Sequence, residues 1–105
     1  MSIRYPAGLS AEARKWFKKI ASEYQIDDPG GLLLLQTACE TLDRMRKAQK
    51  IIEAEGETFI DRFGQVKAHP LLATENNARI GLLACIRQLN LDLEPLKAIG
   101  RPPGS

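Results

Sequence analysis

His69 is the only histidine in the chain, and Cys39 and Cys85 are the only cysteines. Metal chemistry needs clustered ligands, so one histidine and two distant cysteines exclude a zinc site of ordinary type. His69 stands directly before Pro70 at a helix start and has no acid or nucleophile beside it in sequence. A structural or capping role follows, since an isolated histidine lacks the partners that catalysis requires. Cys39 and Cys85 sit among apolar neighbours and read as buried, reduced thiols, which suits a cytosolic setting. Glu57 and Asp61 flank a turn, where carboxylates are common without binding metal. No glycine-rich phosphate loop followed by Lys-Ser or Lys-Thr is present, which excludes nucleotide hydrolysis of that kind. The pattern offers no catalytic residues, no metal ligands and no cofactor.

Basic side chains remain as the chemically interesting set. Lys15, Lys18 and Lys19 lie together with Arg14, Arg44 and Lys47 with Arg46 and Lys50, and Arg62 and Lys67 further on. Side chains of this type can contact phosphates without reading sequence. The alternative for each group is an ordinary solvated helix face. For the middle group, Glu40 precedes Arg44 by four, Asp43 precedes Lys47 by four and Glu53 follows Lys50 by three. Such spacings predict pairs that neutralise much of the local charge. The net charge of the 105 residues is only +2. Repetition of a weak basic patch around a symmetric oligomer would still raise affinity for DNA through multivalency.

These side chains must be positioned by a small, mainly helical fold. The length implies one domain. Hydrophobic residues make up 44% and aromatics 6%, so the core is aliphatic. The central stretch is 29–55, preceded by Asp28 and followed by Gly56. Asp28 can cap a helix start, Pro29 suits the first helical position, and Gly56 suits the left-handed end. Leu35, Leu42 and Gln49 fall on one seven-residue row and Ala38, Met45 and Ile52 on the next, a seam for packing another helix. Leu32, Leu33, Leu34 and Leu35 form a block that is apolar all round, which asks for burial on several sides and hints at an oligomer.

The chain begins with an arm, 1–9. A first helix follows from an N-cap at Ser10, with Ala13, Trp16, Phe17, Ile20, Ala21 and Tyr24 on its apolar face; Trp16 and Phe17 read as core. After Gly56 the pattern changes. Residues 57–60 and 65–68 are β-prone around Asp61-Arg62-Phe63-Gly64, a short hairpin. An isolated hairpin is marginal in water and must pack on helices or on a neighbouring subunit. A third helix covers about 70–89, with its second half apolar nearly all round. Leu91, Leu93 and Leu96 mark an exit segment, and 99–105 reads as a flexible tail. The architecture is thus three helices, one long and central, with a β-hairpin between the second and third, in a single 10–98 domain. No signal peptide is visible, and no apolar run is long enough to span a membrane.

The ordered strings DDPGGLLLLQTACETLDRM, ETFIDRFGQVKAHPLLATENNAR, LNLDLEPL and GRPPG resemble the compact class of bacteriophage terminase small subunits. The likeness runs from about Leu9 to Gly104 and is most specific at the glycine after the long helix, Phe63-Gly64, Val66-Lys67 and His69-Pro70. That family often has Asn-Pro where this chain has His69-Pro70. The resemblance implies a non-enzymatic DNA-packaging protein of the host cytoplasm. It implies a ring-forming homo-oligomer that recognises double-stranded viral DNA. That ring would present the DNA to a large terminase subunit carrying ATPase and nuclease, and modulate that enzyme. Lys15, Lys18, Lys19, Arg44, Lys47, Arg62 and Lys67 are then the candidate DNA contacts. Leu35, Leu42, Met45, Ile52 and Phe63 are candidates for the oligomer interface. The alternative is a small helical protein–protein adaptor with little DNA binding of its own, which the modest charge favours.

Overall fold

A computed structural model describes residues 6–90. The first five residues of the arm, the exit segment and the tail lie outside this range. Helix α1 spans Ala11–Glu23, α2 Pro29–Glu55 and α3 Leu71–Gln88; strands β1, Thr58–Ile60, and β2, Val66–Ala68, stand between α2 and α3. The fold is mainly helical, with one antiparallel hairpin, as the sequence pattern predicts.

Each boundary has a local chemical cause. The Ser10 hydroxyl accepts from the Ala13 N–H at 3.1 Å, and the Asp28 carboxylate accepts from Gly31 N–H at 2.7 Å. Both satisfy amides that the first helical turn cannot. Helix α1 stops in a Schellman turn. Gln25 adopts φ 53°, its N–H reaches the Ser22 carbonyl at 3.3 Å, and Ile26 N–H reaches Ala21 at 2.9 Å. The buried Ile26 supplies the apolar contact that accompanies such a turn. Helix α2 ends at Gly56, whose φ of 91° and ψ of 159° lie in a region essentially reserved for glycine.

Helix α3 begins at Leu71, one residue later than the sequence suggests. Pro70 already has helical angles but offers no side-chain cap. His69 takes over that role, because its Nδ1 accepts the Leu71 N–H at 3.0 Å.

Helix α2 packs against both other helices. On one side Leu35 and Cys39 close a cluster with Leu9, Ala13, Phe17, Ala21 and Ile26. On the other, Leu42 and Met45 meet Ala78, with Leu82 against them. Helix α3 runs back along α2, since Gln49 Nε2 donates to Glu75 Oε2 at 2.8 Å and Gly81 lies opposite Thr41. Small residues on α3, Ala78 and Gly81, let the two backbones approach. Trp16 departs from its expected place in the core. It is 40% exposed, while Phe17 is buried. On a 3.6-residue helix Trp16 lies at the margin of the face centred on Ala13, Phe17 and Ala21, so only part of its ring is covered.

Helix α2, with 27 residues, is about 40 Å long, and the strands of the hairpin are exposed along their whole length.

Candidate nucleic-acid interface

The basic candidates fall on three elements. Lys15, Lys18 and Lys19 are exposed on the outer side of α1, opposite the Ala13, Phe17 and Ala21 stripe that meets α2. Arg44 and Lys47 share an exposed stripe of α2 with Leu33, Thr37 and Glu40. Because the lysines of α1 point away from α2, they do not share a face with Arg44 and Lys47. Arg62 and Lys67 belong to the hairpin, and the Arg62 guanidinium sits 5.1 Å from the centre of the Phe63 ring. That contact holds a cation at the exposed tip by attraction to the ring face.

The expected local charge pairs on α2 do not form. Asp43 turns instead to the start of α1, accepting from Ser10 N–H at 2.8 Å and from the Ser10 hydroxyl. Glu40 accepts from Gln36 at 3.1 Å. Among the described residues, Arg44, Lys47 and Lys50 therefore make no ion pair, and all three are exposed. Arg46 is the cation that is used. It bridges to Glu12 at 3.2 Å and donates to Gln49 at 3.0 Å, clamping α1 to α2. The physical reason is competition. An i,i+4 pair on a surface helix contributes only about 0.3–0.5 kcal/mol, whereas Asp43 satisfies both the backbone and the side chain of another helix's cap.

The hairpin is shaped by Asp61. Its Oδ1 accepts from the N–H groups of Phe63 at 2.8 Å and Gln65 at 2.9 Å, and its own N–H donates to the Gln65 carbonyl at 2.9 Å. Gly64 completes the turn at φ 78°. Asp61 is thus a turn-former. Among the described residues no group of three His, Cys, Asp or Glu side chains could hold a metal ion.

His69 joins three elements. Its ring is nearly buried, and its backbone N–H donates to the Glu57 carbonyl at 2.7 Å. Since Nδ1 accepts from Leu71, Nε2 carries the proton and gives it to Glu55 Oε1 at 2.7 Å. The His69 side chain thus ties the end of α2 to the start of α3, and its backbone holds the base of the hairpin. The two cysteines are unpaired, with Cys39 buried and Cys85 half-buried. Burial first, then the neighbouring carboxylates of Asp43 and Glu40, push the Cys39 thiol up to about 11. Hydrogen bonds from Gln49 and then Arg79 lower the carboxyl of Glu75 below its ordinary range.

Of the interface candidates, Leu35, Leu42, Met45 and Ile52 lie inside a single chain, at 0 to 9% exposure. They meet α1 and α3 of the same chain, and any part they play in assembly runs through the helices they fix. Phe63 is open to solvent at 74%. Leu33, Ile60, Val66, Ile80 and Leu83 are also more than half exposed, which sequence reading did not single out. For Leu33, Ile80 and Leu83 the signal lay in the apolar blocks of α2 and α3, and for Ile60 and Val66 in the β-prone hairpin, but the pattern does not say which member of a block faces out.

A family model described as phage terminase, small subunit, matches residues 13–98. The chain belongs to the phage terminase small subunit family. The match takes in most of α1 and all of α2, the hairpin and α3. No curated protein and no solved structure matches the chain. No helix among the described residues is long and apolar enough to cross a membrane.

Proposed function

We propose that this protein is the oligomeric DNA-recognition component of a viral genome-packaging motor. It binds double-stranded viral DNA in the host cytoplasm and presents it to the large terminase subunit, whose ATPase and nuclease it regulates. It carries no catalysis of its own. Membership of the small-subunit family over residues 13–98 is the observation that carries this reading.

The electrostatics support a phosphate-contacting role. Arg44 and Lys47 stand exposed without ion pairs among the described residues, because Asp43 and Glu40 are engaged elsewhere. Lys15, Lys18 and Lys19 and the hairpin cations Arg62 and Lys67 complete the proposed contact set. Contacts of this kind hold DNA without reading bases. In a ring they are repeated once per subunit, which compensates for a net charge of only +2 per chain.

The test is DNA retention measured across a salt series. Each phosphate contact contributes about 0.9 to the slope of log affinity against log salt. Reversing Arg44 and Lys47 to glutamate should flatten the slope and weaken binding at every salt concentration. Unchanged retention and slope in that variant, and in the triple Lys15, Lys18, Lys19 reversal, would remove the DNA assignment. A flat salt response already in the unmodified protein would favour the second reading, a protein adaptor, for which the low net charge speaks.

A further inference from the structure

We propose that the β-hairpin is an intersubunit arm, whose apolar face docks on the outward strip of α3 at Ile80 and Leu83 in a second copy of the chain. This builds on the oligomeric reading above and names the two surfaces that would make the contact.

The register of the hairpin sorts its side chains. Thr58 pairs with Ala68 and Ile60 with Val66, while Phe59 pairs with Lys67. Alternation puts Thr58, Ile60, Val66 and Ala68 on one face, and Phe59 and Lys67 on the other. The first face carries no charge. Ile60 is 71% and Val66 69% exposed. Two strands alone cannot bury such a face, and a two-stranded hairpin is marginal in water without a packing partner. Yet the arm is preformed. The Asp61 carboxylate locks its tip and the His69–Glu57 bond its base. Among the described residues it is a shaped apolar projection without a cover.

The receiving surface lies on the same molecule. Ile80 and Leu83, one turn apart, occupy the side of α3 opposite Ala78 and Leu82, which face α2. Both are more than half exposed. Asn76, Asn77 and Ala84 beside them are uncharged, and the exposed Arg87 stands one turn beyond Leu83. Ile80 is nine residues into α3, about 14 Å along the helix from the base of the hairpin, and the strands make no substantial contact with α3 of their own chain. The two patches are separate, so one copy can give its arm to one neighbour and receive the arm of another. A contact of this kind is heterologous and repeats until it closes.

The area fits. The exposed parts of Ile60, Phe63, Val66, Ile80 and Leu83 amount to about 560 Å² of apolar surface, taking ordinary side-chain areas. Specific interfaces begin near 1,200 Å² in total and are a little over half apolar. The two patches thus supply the apolar centre of a small specific interface. DNA is a poor occupant for the hairpin face, because Lys67 projects from its other side.

The experiment uses two variants of the full chain, Ile60→Glu with Val66→Glu on the arm, and Ile80→Glu with Leu83→Glu on α3. Native mass spectrometry and sedimentation read their mass, and circular dichroism checks that helicity is retained. All four side chains are solvent-facing, so the fold should persist; serine at the same positions is the milder second set. The unmodified protein should form multimers, and each variant alone should fall to the single-chain mass of 11.7 kDa. An equimolar mixture should yield a heterodimer and nothing larger, because one intact arm and one intact strip remain, on different chains. A monomeric unmodified protein, a multimer retained by either folded variant, or a mixture that stays monomeric would overturn the proposal. DNA retention separates it from the functional reading. Multimers built as described that bind no DNA would leave the arm standing and remove the DNA role. DNA-binding multimers indifferent to both variants would do the reverse.

Discussion

Replacing His69 with alanine should loosen the junction of α2 and α3. The magnitude can be worked from the bonds lost. Nδ1 caps the Leu71 N–H at 3.0 Å, and losing a cap typically costs about 1 kcal/mol. Nε2 donates to Glu55, which is itself 62% exposed, so solvent discounts that bond to about 0.2–1 kcal/mol. The vacated space around a nearly buried ring adds a further part. A loss of about 1.5–3 kcal/mol follows, within the usual range for removing a cap and leaving a small void. For a domain near 100 residues that lowers the melting temperature by roughly 6–15 °C.

Asparagine is the informative control for His69. Its carboxamide oxygen can accept from the amide two residues on, which restores the Leu71 cap but does not reach Glu55. His69→Asn should therefore recover about 1 kcal/mol relative to alanine, and its remaining deficit should shrink in a Glu55→Ala background, where Nε2 has no acceptor. Urea titration of the unmodified chain, His69→Ala, His69→Asn, Glu55→Ala and the His69→Asn/Glu55→Ala double variant, followed by helical circular dichroism, gives both comparisons. Alanine within about 0.5 kcal/mol of the unmodified protein, the ordinary scatter of surface substitutions, would refute the keystone role. So would asparagine no better than alanine.

Other consequences are simpler to check. Leu35→Ala removes a side chain with 0% exposure and should cost about 2–5 kcal/mol in urea unfolding. Leu33→Ala, at 64% exposure on the same helix, should leave monomer stability within about 0.5 kcal/mol. Gln25→Gly relieves a left-handed residue at φ 53° and should stabilise by about 0.5–1 kcal/mol, read as a raised melting temperature. The Cys39 thiol, pushed up from 9.0 to about 11, should resist alkylation at pH 8 in the native protein while the half-buried Cys85 labels, as peptide mass mapping would show. The folded chain holds that proton more tightly than the unfolded one, so this contribution to stability is complete below pH 9 and is lost as pH rises from there towards 11. Equal labelling of both thiols, or stability rising over that range, would contradict it.

The parts of the fold that were legible in the sequence are those decided by neighbouring residues. Asp28 with Pro29, Ser10, Gly56 and Gly64 mark the ends and turns where the structure has them, because caps and positive φ are satisfied within three or four positions. The two seven-residue rows on α2 also face inward, with Gln49 hydrogen-bonded to Glu75. What could not be read depends on which helix lies across the way. Leu33 and Leu35 look alike in a run of four leucines, yet one is exposed and the other fully buried. Only the positions of α1 and α3 separate them.

The charges on α2 fail for the same reason, and they bear on function. Glu40 and Asp43 are correctly spaced to quench Arg44 and Lys47, and on an isolated helix they would do so. Docking α1 offers Asp43 a helix cap and a hydroxyl at once, and offers Arg46 the carboxylate of Glu12. Tertiary packing thereby engages Asp43 and Arg46 of α2 in holding α1 and leaves Arg44 and Lys47 exposed. The helix contact that stabilises the fold and the exposed cations proposed to meet DNA are then one arrangement. Asp43→Asn should weaken the attachment of α1, with no new partner gained by Lys47.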